Sequence, residues 1–455
     1  MLQRNLKEKE YLVIDAKHLT NKPRSELTSE ERVQLFQFRL YCKAKQEQSY
    51  RFYVLYDKLS VDYMLKEAWR RVKRNKGVAG YDGMSIEDVE KYGVEKYLSE
   101  IAEEIKNETY KPQPVLRVYI PKDNGKLRPL GIPTVKDRIV QMSCKMVIEP
   151  IFEADFEECS YGFRPNRSAH NAIEQIRDGV GRNGMKQVYD ADLSGYFDNI
   201  PHDKLMYLIK LRISDRRVLK LIKMWLKTPV FEDNKLKKSK KGTPQGGVIS
   251  PLLANIYLHL VDKAVNRKDG HFYRYGVRIV RYADDFILMA RRIPQKCLDR
   301  LHHILERMEL ELNQDKTRLV DVVKEPFDFL GFTFRYDRDL YGRNRKYLNI
   351  VPRKKSSKSI RFKIRDYLYR NGHKSPCQLV KGLNPIIKGW INYVTIPQVS
   401  YAKSEKRKLR WYLSDTLSRY YRRKSQRKSK LYHQNAFEVL TDKYGLSDPT
   451  KYNYV

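Results

Sequence analysis

Two adjacent carboxylates, Asp284 and Asp285, interrupt a run that is otherwise mostly apolar, from Val277 to Tyr282 and from Phe286 to Ala290. Both flanks are rich in β-branched and aromatic residues and read as strands. The acidic pair then sits at a hairpin tip, so the chain must build antiparallel sheet around it. Side by side, two negative charges repel and raise each other's pKa. A divalent cation is the usual compensation. A lone Asp-Asp is more often a solvated turn, so its meaning depends on the rest of the chain.

A second acidic strand reads from Lys186 to Leu193. Period-two alternation puts Val188, Asp190 and Asp192 on one face. Ser194-Gly-Tyr-Phe-Asp-Asn-Ile-Pro201 follows, and Gly242-Thr-Pro-Gln-Gly-Gly-Val-Ile-Ser-Pro251 separates the two acidic strands. Three carboxylates on neighbouring strands can hold two Mg²⁺ about 3.5–4 Å apart, the arrangement that drives in-line displacement at phosphorus. Magnesium prefers oxygen ligands and keeps waters and substrate phosphates, so few carboxylates suffice. On the residues alone, Asp190 and Asp192 are both open as the partner of the pair.

The order Asp-x-x-x-x-Phe, Pro-Gln-Gly, Tyr-Ala-Asp-Asp resembles the palm of reverse transcriptases. More narrowly, the chain resembles bacterial group II intron-encoded reverse transcriptase/maturases. The segments that carry this are Arg128-Pro-Leu-Gly-Ile-Pro133, Tyr161-Gly-Phe-Arg-Pro-Asn-Arg-Ser-Ala-His170, Gly242–Gly247, Ser250–Leu258 and Phe329-Leu-Gly-Phe-Thr-Phe334. They stand in the family's order between about Val61 and Val394. The resemblance implies an α+β right-hand polymerase: fingers, a palm with an antiparallel sheet, then a helical thumb/maturase domain. The expected division is an N-terminal helical extension at 1–60, fingers and palm at 61–340, thumb/maturase at 341–430 and a short tail at 431–455.

It also implies roles. Asp192, Asp284 and Asp285 are the expected catalytic and metal-binding residues, for two Mg²⁺ with Mn²⁺ able to substitute. Asp192 is preferred to Asp190 because Phe197 then falls five residues later, as in the family. Phe197 is the expected steric gate against a ribose 2′ hydroxyl. Gln245 and Gly246 sit on a loop whose glycines permit close approach to the new base pair. Lys122 and Arg128 flank a hairpin and are expected to meet an incoming triphosphate. Lys316 is expected to donate a proton to the departing pyrophosphate. Arg164 and Arg167 suit template phosphates, and Gly331 belongs to a hairpin expected to support the primer. Lys381, in a maturase-like segment ending at Tyr393, and Arg422 and Arg423 in a basic run are expected to touch RNA.

Composition agrees. Lys and Arg number 91 against 55 Asp and Glu, for a net charge of +36. Such an excess points to a polyanionic partner, since counterion release drives cations onto phosphate backbones. The 33 Tyr and 16 Phe interleaved with those cations suit stacking on unpaired bases. The expected partners are an RNA template, an RNA/DNA primer duplex, deoxynucleotides and a structured intron or non-coding RNA, with no membrane. Five scattered cysteines make no Cys-x-x-Cys pair, so no zinc ribbon or disulfide framework is implied. No apolar stretch is long enough to cross a bilayer, and the charged start Met1–Glu10 is unlike a signal peptide. A bacterial cytoplasmic location is expected. The tail after Lys430 carries His433 and no cysteine, so no endonuclease domain is expected.

Local patterns add detail. Thr28-x-x-Glu31 is a capping box opening a helix with Val33, Phe36 and Leu40 on one side. Leu65, Ala68, Trp69 and Val72 line the next helix. Gly80–Gly83 reads as a turn, and Ser85-x-x-Asp88 caps a helix running toward Asn107. Val115 to Ile120 is a strand, with a turn at Asp123-Asn-Gly125. Leu298, Leu301, Leu305 and Met308 form a core stripe. Maturase function without polymerisation, or a domesticated role in defence or repair, are the competing functions.

Overall fold

In chain order the strands are β1 (Val115–Pro121), β2 (Leu127–Ile132), β3 (Gln187–Ala191), β4 (Val230–Glu232), β5 (Lys235–Lys237), β6 (Arg278–Tyr282), β7 (Asp285–Ala290), β8 (Arg318–Asp321), β9 (Phe327–Phe329), β10 (Phe332–Arg338) and β11 (Lys346–Pro352). They form three sheets, ordered β2-β1-β4-β5, β6-β7-β3-β8 and β11-β10-β9. The second is antiparallel throughout and is the expected palm sheet. This is a computed structural model; it describes residues 18–121, 125, 127–237, 240–338, 346–423, 431 and 434–452. The architecture is α+β, with a helical C-terminal region, as the motifs predicted.

The palm sheet is buried on both faces. Tyr189, Ala191, Phe286 and Leu288 point into the largest core, with the helix Val135–Glu153 running through it. Val188, Val280, Ile287 and Met289 point the other way. There they meet the helix Ala169–Arg177 and the aromatic strands β9 and β10, where Phe327 and Phe334 stack at 4.7 Å. A third core joins the helices Lys354–Arg370, Pro376–Val394, Lys403–Arg423 and Ala436–Tyr444 through Ile364, Leu383, Ile391, Leu413 and Leu440.

Local expectations are met where capping chemistry and periodicity agree. Thr28 and Glu31 form the capping box that opens the helix Ser29–Gln46. That helix lies on Val135–Glu153, with Gln37 Nε2 donating to Met146 O at 2.9 Å and Lys45 Nζ to Ala154 O at 2.8 Å. Leu65, Ala68, Trp69 and Val72 are buried in the helix Asp62–Arg74. Ser85 and Asp88 form the second capping box, but one expected helix is two: Gly93, at φ +104°, ends Ile86–Tyr92 and opens Val94–Lys106. Only glycine holds that dihedral cheaply.

Candidate active site

Strands β6 and β7 pair so that Tyr282 faces Asp285, leaving Ala283 and Asp284 as a two-residue turn. Ala283 adopts φ +59°, a region L-residues avoid. Strands β3 and β7 pair Asp190 with Ile287 and Ala191 with Phe286. Continuing that register by one residue brings Asp192 opposite Asp285. Asp190, Asp192 and Asp285 therefore share a sheet face, with Asp284 at its edge.

A buried cation holds this turn. The Arg281 guanidinium is fully buried and makes a bidentate pair with Asp262 from the helix Ser250–Asn266, at 2.9 and 2.5 Å. Its remaining donors reach Asn255 Oδ1 and Ala283 O, both at 2.9 Å. Asn255 in turn donates to Gly162 O at 2.8 Å. The backbone of Tyr161 donates to Arg281 O at 2.9 Å. A Cβ on Gly162 would fall 2.2 Å from Ala283 N, so only glycine admits this contact. The Tyr161–His170 and Ser250–Leu258 segments thus both brace the acidic hairpin. No local motif marks Arg281, Asn255 or Asp262 as a clamp; the one signal in the sequence is a charged residue inside an apolar strand.

The electrostatics follow from crowding. Asp285 is open to the cleft, yet the surrounding protein and then Asp284, Asp192 and Asp190 push its carboxyl up to about 7. Burial, followed by Asp192, raises Asp284, while Arg128 and Lys316 oppose the rise. Asp190 is raised to about 6, mainly by burial, with Arg318 opposing. Lys316 Nζ lies 2.7 Å from Asp192 Oδ2. The backbone of Asp192 is tied to the segment carrying that lysine, since Asn313 N donates to Asp192 O at 2.8 Å. Hard oxygen donors that repel one another are the set a divalent cation relieves. Among the described residues no group of three or more His, Cys, Asp or Glu side chains is arranged to hold a metal ion by itself. By its chemistry a set of carboxylate oxygens fits magnesium only where the ion also takes substrate phosphates and water.

The glycine-rich loop packs beside this acidic end. Thr243 N donates to Phe197 O at 2.7 Å, and Gln245 Nε2 to Asp198 Oδ2 at 3.1 Å. Gly246 sits at φ +113°, where a Cβ would lie 2.4 Å from Gly131 O. Phe197 is half-buried in the helix Tyr196–Asn199, edge-on to Phe163 at 6.5 Å. Arg128 is exposed on β2 across from Ile120. Lys122 and the turn residues Asp123 and Asn124 lie outside the described residues.

Arg164 differs from the expectation for template phosphates. Its side chain is buried in an ion pair with Glu153 at 2.6 Å, and its Nη1 donates to Glu157 O and Ser160 O. Burial and these bonds direct it to shaping the Tyr161–His170 loop. Arg167 donates to Glu158 O at 2.7 Å and lies over the Tyr161 ring. Gly331, at φ +79°, forms the β9–β10 turn with Leu330 at φ +46°. Tyr393 from the thumb-side helix donates to Leu330 O at 2.7 Å, and its own carbonyl meets His170 Nε2 at 2.7 Å. Lys381 is exposed on Pro376–Val394, and Arg422 and Arg423 are exposed at the end of Lys403–Arg423. The rest of that basic run lies outside the described residues.

Comparison with known proteins agrees with the geometry. Residues 120–334 match the reverse transcriptase (RNA-dependent DNA polymerase) family model, and residues 357–436 the group II intron maturase-specific domain. Protein YkfC of Escherichia coli is 36% identical over 332 residues, 64% of this chain and 85% of that protein. The group II intron-encoded protein LtrA of Lactococcus lactis is 33% identical over 332 residues, 60% of this chain and 55% of that protein. The chain belongs to the group II intron-encoded reverse transcriptase/maturase family. It is an enzyme of the reverse transcriptase class with a maturase-type helical region, and it spans little more than half of LtrA. No described helix is long and apolar enough to cross a membrane. In this family member the matched polymerase region contains the whole palm sheet, from β3 to β8, and the β9–β10 turn. The maturase match begins within the helix Lys354–Arg370, directly after β11.

Proposed function

We propose that this protein extends a primer 3′ end with deoxynucleotides along an RNA template, and that its helical region binds the structured RNA of a parent intron to assist splicing and mobility. The observation that carries the polymerase reading is the register that sets Asp192 opposite Asp285, with Asp284 in the adjoining turn. Asp192, Asp284 and Asp285 would hold two Mg²⁺, which when bound supply acidification of the 3′ hydroxyl and neutralisation of charge on the leaving pyrophosphate. The remaining work is positioning and charge stabilisation, which dominate phosphoryl transfer. Arg128, near enough to Asp284 to lower its pKa, is assigned to the triphosphate. Lys316 is assigned to the departing pyrophosphate, where its ammonium can neutralise charge and give up a proton. Phe197 closes the sugar side against a 2′ hydroxyl. The Gln245 and Gly246 backbone, held on β2 through Gly131, forms the floor under the new base pair. The β9–β10 turn, braced by Tyr393, supports the primer.

Primer extension on an RNA template tests this. The protein should incorporate deoxynucleotides only with a divalent cation, and Asp284→Ala should abolish extension while leaving RNA affinity unchanged. Extension by that variant would remove the carboxylate assignment. The maturase part rests on the match over 357–436; splicing of an intron RNA promoted by Asp284→Ala protein would separate it from polymerisation.

A further inference from the structure

A groove of about 1080 Å³ lies between the helices His202–Lys210 and Arg216–Lys227 and the segment around Lys240. Both helices bury their apolar faces in the largest core, through Leu205, Ile209, Leu221, Ile222 and Trp225. That core covers the palm-sheet face bearing Tyr189 and Leu288, whereas Asp190, Asp192 and Asp285 share the opposite face. The two helices therefore lie beyond the core from the acidic face, while the Pro201–His202 end of the groove meets the start of the glycine-rich loop, where His202 Nε2 lies 2.7 Å from Gly242 O. The helix Arg216–Lys227 turns Arg216, Lys220, Lys223 and Lys227 into it, at spacings that place them along one stripe. Lys210 and Lys240 extend the stripe. Two carboxylates, Asp203 and Glu309, line the groove against seven lysines and arginines, and Glu309 is already shared by Lys204 at 3.0 Å and Lys241 at 2.9 Å. Lys220 has a loose partner, Glu108, at 3.7 Å. Among the described residues Lys210, Arg216, Lys223 and Lys227 have no ion-pair partner. The floor is Met206, Leu219 and Leu226, which the lysine stems can cover.

A stripe of like charges facing one another across a groove is self-repelling, and a polyanion relieves it. Mostly lysine, with no Phe, Tyr or Trp in the lining and the one imidazole, His202, meeting the Gly242 carbonyl, is chemistry for phosphates rather than for bases. The groove between β10, β11 and the thumb helices is different: it adds Tyr347 and Tyr401 to its cations and lies beside Arg353, whose N–H meets Gly331 O. It adjoins the primer-side turn and belongs to the cleft already described.

We propose that the Lys210–Arg216–Lys227 groove is a second RNA site, which grips the sugar–phosphate backbone of a folded, double-helical RNA segment outside the polymerase cleft. This rests on the reading that the protein works on RNA. Such a site recognises shape and phosphate spacing, with little sequence preference. It would let the protein remain on a structured RNA while the cleft is engaged elsewhere.

The test compares the full-length protein with a Lys220→Gln, Lys223→Gln, Lys227→Gln variant. The probe is a blunt RNA hairpin with a stem of about 20 base pairs, long enough to span the roughly 16 that shape-reading domains cover. Removing three phosphate contacts should flatten the plot of log affinity against log salt by about two to three. Hairpin affinity should fall by tenfold or more, roughly, at physiological salt. Extension of a pre-annealed primer on a short unstructured RNA should keep its rate and KM. The triple Lys→Arg variant should restore hairpin binding, which separates lost charge from lost folding. Unchanged hairpin affinity and salt slope would overturn the site. So would an equal loss in primer–template KM, which would make the groove part of the cleft. Binding of an acidic helical peptide in the groove with hairpin affinity intact would also overturn it. Absence of primer extension by the unmodified protein would instead defeat the polymerase reading and leave the hairpin measurement to stand alone.

Discussion

On one face of the palm sheet, Asp190, Asp192 and Asp285 crowd together above a turn held by a fully buried, fully paired arginine. Across the large core, the helices His202–Lys210 and Arg216–Lys227 line a groove in which lysines and arginines outnumber the carboxylates Asp203 and Glu309. Both are concentrations of like charge, but they are built differently. The acidic end is made stiff: Arg281 spends its donors on Asp262, Asn255 and the Ala283 carbonyl, so the strained turn has one geometry. The basic groove is left adaptable, with charges on long stems over an apolar floor. Stiffness suits chemistry, which tolerates little misplacement of reacting groups. Adaptability suits a phosphate backbone, which offers regular charge.

The sharpest way to break this contrast is at the acidic end. Asp284→Ala should lower primer extension by about 10³-fold or more, because metal charge stabilisation is worth several kcal/mol. RNA affinity should hold. A loss of RNA binding in parallel would mean that the two ends are not separate functions.

Arg281→Met comes next. It strands Asp262 in the core and should destabilise the protein by about 3–5 kcal/mol in urea unfolding. Adding Asp262→Leu should recover most of that stability, because an apolar pair of similar volume is often neutral. Extension should stay low in the double variant, since the Ala283 carbonyl has lost its anchor. Full recovery of extension would show that the turn needs no buried clamp.

Phe197→Ala should reduce the preference for deoxynucleotides by about 10–200-fold, the scale of one packing contact. Ratios of kcat/KM for the two sugars measure this, and an unchanged ratio removes the gate.

A smaller effect concerns pH. Asp285 is raised to about 7 in the folded protein, from an ordinary 3.8. Its contribution to stability without metal is complete below the ordinary value and is lost as pH rises through about 7, because the crowded cleft resists the charged form. Mg²⁺ competes with that proton. The rise in Tm on adding Mg²⁺ should therefore be larger at about pH 8 than at about pH 6. Equal shifts at the two pH values would count against the ion sitting among these carboxylates.

Tyr393→Phe is the mildest change. It deletes one hydrogen bond to Leu330 O, worth about 1 kcal/mol. The expected cost is about fivefold in KM for primer–template, with kcat kept. An effect on kcat alone would place Tyr393 outside primer support.

The motif segments were legible because each is local. Asp284 and Asp285 announce a hairpin, Thr28 and Glu31 a helix start, and Leu298, Leu301 and Leu305 a buried stripe. The helices His202–Lys210 and Arg216–Lys227 are less conspicuous, although Val218, Leu221, Ile222, Trp225 and Leu226 carry helical spacing. They carry no catalytic motif, and the lysine groove they form needs both at once. The burial of Arg164 is hidden for a related reason: its partner Glu153 is eleven residues away, at the end of another helix. Strand β4 pairs parallel with β1, more than a hundred residues earlier, a contact no window of sequence displays.

The order and spacing of residues alone determined the family, the fold class and which carboxylates to suspect, because turns, caps and periodicity act over a few residues. Tertiary structure alone decided that β3 runs beside β7 so that Asp192 comes near Asp285, that Arg281 is a buried strut and Arg164 a shaped loop's anchor, and that scattered lysines form one groove. Those outcomes depend on strand register and on burial, which are set by packing between segments far apart in the chain.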